Sequence, residues 1–463
     1  MIYLTARSGF LILPLLLLAG AGNVIAQRIE IETNQELESY RTELDALEAA
    51  NGLTSPQLIE TLEQLADRLM VAFEYQEAHD SLDRAQQILR INEGLYTPSQ
   101  QRILQKKIEN FTNWGDWRST RELLDHRFWL YANKTPRPDD TMVAGLLNIA
   151  DMHLRGVLED NPRQQANHYR RAAFMSRAAL TVAEAIWQPQ DLRFAQVIYE
   201  QIRHAYLHGW AIQSRAQAGY ALRSIGWSSA SGRTRSMMLE RDQARDMHRG
   251  TGFLYFERLR KLYLDRETPD LEASAMVTLY QADWQLLFQQ REMAVVTYAN
   301  AHAELLAAGV SEQLVDNLFA TPVLIPELNF YPDMSAALQS RLDSEKTMLR
   351  PVQNLPIRLS FNELSPEALL SSENNRTFAT AFADPGEALF IFRLAGVDEL
   401  RKRRWFARNP PTLGVAQNLQ IIIGVSSLEQ QEELVSRVNW LRFRPKLVDG
   451  VPQAASGVLA SKL

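Results

Sequence analysis

The chain has 463 residues, 46% of them hydrophobic and 22% charged, the composition of a folded protein rather than a disordered one. Its net charge of -6 is not that of a basic nucleic-acid binder, so no nucleic-acid partner is expected. It contains no cysteine, which removes disulfide frameworks, thiolate metal sites and cysteine nucleophiles together.

Residues 1–26 read as a secretory signal. Arg7 supplies the positive start, residues 10–19 the apolar core, and Val24-Ile25-Ala26 a small-residue cleavage site before Gln27. The apolar run is shorter than the ~20 residues of a spanning helix. The expectation is a periplasmic protein with its signal removed; an inner-membrane tether is the alternative if the segment stays uncut.

From about residue 32 to 349 apolar residues recur at three- and four-residue spacing, with breakers every 15 to 25 residues. Leu58, Ile59, Leu62, Leu65, Ala66, Leu69 and Met70 share one helical face, started by Ser55-Pro56. Ala78, Leu82, Ala85 and Leu89 form the stripe of the next helix. Forty-two residues after Tyr75, Ala78, Leu82 and Ala85 stand Trp117, Thr120, Leu124 and Arg127. Ala282, Ala294, Tyr298 and Ala301 reproduce the spacing of Ala66, Ala78, Leu82 and Ala85, and Ala150 with Ala172 is a more degenerate candidate. This pattern, with Leu65, Ala66, Tyr75, Ala78 and Ala85 as its best segment, resembles the tetratricopeptide repeat, and Gly115-Asp116-Trp117 resembles that family's turn between helices. Thr120, Arg127 and Gln285 depart from it, so the repeat count stays open. The resemblance implies stacked helical hairpins that curve and hold a peptide or a partner helix on a concave face. Trp114, Trp117, Phe128, Trp129 and Tyr131 cluster in the second hairpin, mainly as packing residues, with partner anchoring as the other reading.

Residues 351–384, with Pro351, Pro356, Pro366 and Asn374-Asn375, read as a linker containing short extended runs such as 357–361. From residue 385 the pattern is β: strands are predicted over 388–394, 418–425 and 451–459. A helix over 428–440 is capped by Ser426-Ser427, with Leu434, Val435 and Val438 facing inward. Trp440-Leu441-Arg442-Phe443-Arg444-Pro445 followed by Asp449-Gly450-Val451-Pro452 resembles the end of the TonB C-terminal domain. That likeness covers residues 385–463 and departs from the family at an insertion over 401–411. It implies a module that adds a strand to an extended partner, with Arg442, Arg444, Pro445, Gly450 and Val451 shaping it and the final strand offering its backbone. The first 26 residues hold no His, and a helical array stands where that family has a Pro-rich spacer, so an energy-transducing role is not implied.

Residues 385–463 carry 11 Lys+Arg against 7 Asp+Glu, whereas residues 27–384 carry a balance of -11. The basic run Arg401-Lys402-Arg403-Arg404 is a candidate contact for an anionic cell-wall or lipid surface, for the acidic array of the same chain, or for solvent alone. His204 and His208 lie one helical turn apart, but Ala205 stands where a metalloprotease helix needs Glu, so both read as structural and no metal or cofactor is expected. Gly250-Thr251-Gly252 is too short to cradle a phosphate. Asp139-Asp140 and Glu432-Glu433 fall where helix starts or solvated faces put acids.

The expected fold is therefore mainly α. A tetratricopeptide-like helical-hairpin solenoid over 27–350 is followed by a linker over 351–384 and a small α+β module over 385–463. The expected role is non-enzymatic, an exported scaffold for envelope proteins or an extended peptide. An accessory part of a TonB-type transport system and a cell-wall enzyme working through opposed carboxylates are the alternatives.

Overall fold

The computed structural model describes residues 35–134, 137–213, 217–228, 234–344, 357–362, 387–401, 412–424 and 427–461. The signal segment, most of the expected linker, and Arg403 and Arg404 lie outside them, as does the side chain of Arg401. The chain divides into two compact units after Arg137. The helical region is thus split between them, and the C-terminal strands belong to the same unit as helices from residue 138 onward.

Among its described residues the first unit is helical: α1 (35–51) is followed by α2 (Leu58–Val71), α3 (Tyr75–Glu93), α4 (Gln100–Trp114) and α5 (Trp117–Lys134), and α2 to α5 pack in sequence as antiparallel neighbours. Short connections force that arrangement, and each apolar stripe is buried against the next helix. Leu58, Leu62, Leu65, Ala66, Leu69, Ala78, Leu82, Ala85 and Ile103 form one continuous core.

The second unit holds α6 (Asp140–Glu159), α7 (Gln165–Ile186), α8 (Phe194–Gln213), α9 (Gln217–Leu222), α10 (Arg241–Leu264), α11 (Leu271–Leu287), α12 (Arg291–Ala307), α13 (Glu312–Phe319) and α14 (Met334–Ser344). Helices α6 and α7, and α11 and α12, form hairpins, and α8 packs along α10. Ala150 and Ala172 are both buried. Helix α11 is buried from Ala273 to Leu287 on nearly all sides, which makes it the axis of the unit. Gly252 on α10 lets Trp284 of α11 come close; a Cβ there would stand 2.0 Å from the indole ring.

Three hairpins turn alike. Phe73, Gly115 and Gln289 sit in the left-handed region at φ 62°, 84° and 64°. In each turn the following N–H donates to a carbonyl five residues back: Glu74 to Leu69 at 2.9 Å, Asp116 to Phe111 at 2.9 Å and Gln290 to Gln285 at 2.8 Å. This is the helix-ending motif in which a left-handed residue closes the last turn. The positions aligned by spacing are equally buried in all three: Ala66, Ala78, Leu82 and Ala85; Ile108, Thr120, Leu124 and Arg127; Ala282, Ala294, Tyr298 and Ala301, none more than 3% exposed. Arg127 fits where the others have Ala because Gln101 and Gln105 accept from its guanidinium at 3.1 and 3.2 Å. Trp117 and Tyr131 are buried as packing residues, whereas Trp114 and Trp129 keep 44% and 38% of their surface.

Strands also occur inside the stretch read as helical. β1 (Ser224–Ser228) and β2 (Thr234–Met238) pair antiparallel, and β3 (Val323–Ile325) follows α13. The C-terminal sheet comprises β4 (Ile357–Asn362), β5 (Ala388–Leu394), β6 (Gln417–Ile423) and β10 (Ala455–Ser461), all antiparallel in the order β4-β10-β5-β6. A short helix α15 (Val397–Arg401) follows β5, and α16 (Leu428–Trp440) precedes β7 (Arg442–Arg444), β8 (Lys446–Val448) and β9 (Val451–Gln453). Helix α16 starts on Ser427, whose hydroxyl accepts from the Gln430 N–H. Leu434 and Val438 of α16 join Phe390, Phe392, Leu394, Leu459 and Phe443 in one core.

Two expectations are corrected here. The stretch taken as linker supplies β4, a strand of the sheet. The final segment is split in two, and its longer part, β10, is hydrogen-bonded on both sides, to β4 and to β5, so its backbone is already committed within the chain.

Candidate functional site

The junction of sheet and helices is built around β7. This strand leaves α16 and pairs antiparallel with β3, placing Phe443 opposite Leu324 and Arg444 opposite Val323. Strand alternation then sends Phe443 into the sheet core and Arg444 the other way, toward α11. The loop before β6 closes the other side, where the Phe443 N–H donates to the Gly414 carbonyl at 2.9 Å. Gly414, at φ 70°, has no room for a side chain, since a Cβ would stand 2.6 Å from Leu286 of α11.

Arg444 is 1% exposed. Its Nε donates to Asp283 Oδ1 at 3.0 Å, and its Nη2 donates to Asp283 Oδ2 at 2.5 Å and to Glu327 Oε1 at 2.6 Å. The guanidinium also lies 5.4 Å over the Tyr280 ring. Tyr298 of α12 donates to Asp283 Oδ1 at 2.7 Å, and Tyr199 of α8 donates to the Glu327 carbonyl at 2.9 Å. Burial works against the charge on Arg444, but Asp283 and Glu327 overcome it and hold the group protonated well above its ordinary value. Burial pushes the Asp283 carboxyl upward despite the guanidinium beside it, and burial next to Asp283 raises the Tyr298 phenol strongly. A bidentate Arg with one carboxylate and a third bond to another offsets part of the cost of burying these charges, while Arg444 Nη1 is buried without a hydrogen-bond partner among the described residues. The arrangement fixes the sheet on three helices and the loop after β3.

The other residues of the C-terminal motif take structural places as well. Arg442 donates to the Asn439 and Leu441 carbonyls at 2.9 and 2.8 Å, closing the end of α16. Pro445 is buried. Gly450, at φ 73°, meets α12 so closely that a Cβ would stand 2.8 Å from Ala299 Cα. Val451 keeps 40% of its surface, and Trp440, half exposed, sets its ring edge-to-face with Trp210 at 5.4 Å. Arg444 therefore serves inside the chain and is not available as a surface contact.

The sheet has a different open feature. Strand β6 lies at its margin, and among the described residues no strand pairs with its outer side. Asn418 and Gln420 on this strand are exposed.

Five of the eight histidines form two clusters. His204 and His208 lie on α8, and the His208 ring stands 5.3 Å from that of His248. His208 Nε2 is 2.7 Å from the Tyr169 carbonyl, which makes that nitrogen the protonated donor. Burial holds all three below the usual imidazole range, with His248 pushed down to about 4. The second cluster joins Asp160 to His168 at 2.8 Å and His168 to His153 at 3.0 Å, under Gly156. Nothing in the sequence spacing pointed to it. Among the described residues no group of three His, Asp or Glu side chains is arranged to hold a metal ion, and no helix is long and apolar enough to cross a membrane.

Asp283 and Glu327 are two carboxylates close together, the arrangement a glycan-cleaving site would need. Both are bonded to Arg444, and the cavity beside Asp283 measures about 10 Å³, space for about one water molecule.

No protein-family model and no curated protein matches the chain.

Proposed function

We propose that the protein is an exported adaptor of the Gram-negative envelope. Its helical hairpins are of the tetratricopeptide type, and its C-terminal sheet is a TonB-like module that adds a strand to an extended segment of an envelope protein. The observation that supports this reading is the position of β6. It lies at the margin of a sheet anchored on rigid helices, with exposed polar side chains alternating along it. Such an edge offers backbone N–H and C=O groups for affinity and pockets at alternate side chains for specificity. The reading moves the binding edge from the last strand, as the sequence resemblance implied, to β6.

Photo-crosslinking residues placed at Asn418 and Gln420 in growing cells test it. The expected result is one discrete protein adduct from both positions, lost when a proline is placed in β6. Absence of an adduct at both positions, with the chain folded and exported, contradicts the reading. Export itself is checked by sequencing the mature N-terminus, which should begin at Gln27.

A further inference from the structure

A groove of about 340 Å³ opens between the end of α7, the start of α8 and the last turns of α10. Its floor is aromatic and aliphatic, with Trp187 and Phe194 edge-to-face at 5.2 Å beside Ile198 and Leu262. Trp187 is held in place before any ligand arrives. Its Nε1 donates to Asp140 at 2.6 Å, and Arg193, itself bonded to Asp140 at 2.6 Å, lies 4.6 Å over the ring. Arg193 does not line the groove, so it backs the indole from outside. An anchor fixed by independent contacts loses little freedom on binding.

The rim is polar and electrically balanced. Glu184 and Arg258 form an ion pair at 2.6 Å, which neutralises both. Lys261 and Asp265, four residues apart at the end of α10, add one charge of each sign; both are exposed, and Lys261 reaches a carboxylate only at 4.0 Å, in Glu257. The lining thus has no net charge, which gives no preference for an anion or a cation. A purely apolar side chain would cover the aromatic floor but strip water from Lys261 and Asp265 without replacing it. A sugar ring satisfies both parts, because it has an apolar C–H face and a periphery of hydroxyls that both donate and accept.

We propose that this groove is a binding site for a neutral saccharide, with one ring stacked on Trp187 and its hydroxyls meeting Asp265, Lys261 and Gln190. The site is independent of the strand-adding role assigned to β6. In an envelope protein it would tie the chain to a glycan while the sheet edge holds a protein.

The test uses the full chain labelled with 5-fluorotryptophan, the Trp187 signal being assigned by Trp187→Phe. Maltotriose, cellotriose and chitotriose are titrated separately, beside a neutral blocked leucine tripeptide. At least one trisaccharide is expected to shift the Trp187 signal saturably while the tripeptide does not. Calorimetry should then show Trp187→Ala weakening that saccharide at least about tenfold, with Trp187→Phe restoring most of the affinity. Asp265→Asn and Lys261→Gln, at exposed positions that leave the fold intact, should each weaken it several-fold. A Trp187 signal that ignores all three sugars, or one that responds to the tripeptide and to no sugar, overturns the proposal. So does unchanged affinity in Asp265→Asn and Lys261→Gln together.

Discussion

Replacing Arg444 with methionine removes a cation that Asp283 and Glu327 both touch, while leaving a side chain of similar length to fill the space. Two carboxylates would then stand buried without their partner, and loss of one member of a buried pair costs about 3–5 kcal/mol. The second unit has roughly 300 residues; at ~2.1 cal/mol/K of unfolding entropy per residue, that cost lowers its melting temperature by about 5–8 °C. The effect should depend on pH. Burial already holds the Asp283 carboxyl high, and without the guanidinium it rises further. A carboxyl whose folded value lies above its unfolded value takes up a proton more readily in the folded state. Its destabilisation is therefore greatest at high pH and shrinks as pH falls toward ~4. Urea unfolding of Arg444→Met at pH 8 and pH 5, with Asp283→Asn and the double variant, reads these quantities. The double variant should lie about 1–3 kcal/mol closer to wild type than the sum of the single losses. A loss below about 1 kcal/mol, or additive single effects, would refute the account of Arg444 as the lock between sheet and helices.

Three further outcomes are expected. Gly252→Ala should cost about 1–3 kcal/mol or more in urea unfolding, because the new methyl group meets the Trp284 ring at 2.0 Å in a packed helix pair; a neutral result would show that the two helices separate easily. Phe73→Gly and Gln289→Gly should each raise stability by about 0.5–1 kcal/mol, the ~1–2 kcal/mol cost of a left-handed L-residue less the extra freedom of glycine in the unfolded chain; a loss at both positions in the same assay would contradict the turn geometry. Stability should fall as pH drops from about 6.5 toward 4. His204, His208 and His248 are held neutral by burial, and the unfolded chain accepts protons that the folded chain refuses. Discounted for its partial exposure, His248 alone accounts for about 1–2 kcal/mol of this at pH 5, and a melting-temperature profile of His248→Gln that keeps the full slope would contradict it.

Local pattern made much of the fold legible. The apolar stripes of α2 and α3 and the positions repeated at Ala282, Ala294 and Tyr298 are short-range signals, and helices answer to those. Strands β5 and β6 and helix α16 lie within a residue or two of where alternation and the Ser427 cap put them. Strand β4 was legible as an extended run at 357–361 but was assigned to a linker, because what places it in the sheet is pairing with β10 nearly 100 residues later. The central place of β10 is likewise a matter of topology, which spacing does not encode.

The site was half visible. Arg444 was singled out, but as a residue shaping a strand-adding module rather than as a buried group. Asp283 carried an overlooked signal, because it is the one charged residue in the buried stretch from Ala273 to Leu287, which is otherwise apolar or neutral. A lone acid on a fully buried helix requires a cation from elsewhere. Only the antiparallel pairing of β3 with β7 shows which cation that is.

The C-terminal sheet and the helices from residue 138 form a single structural unit, with β6 at one of the two margins of the sheet. Native-state hydrogen exchange of the full chain across a urea series measures this directly. Amides of β5 and β10 should open at the same free energy as those of α11, and Arg444→Met should lower both together. Exchange of the sheet strands at a distinctly lower free energy than α11, unaffected by Arg444→Met, would contradict the claim.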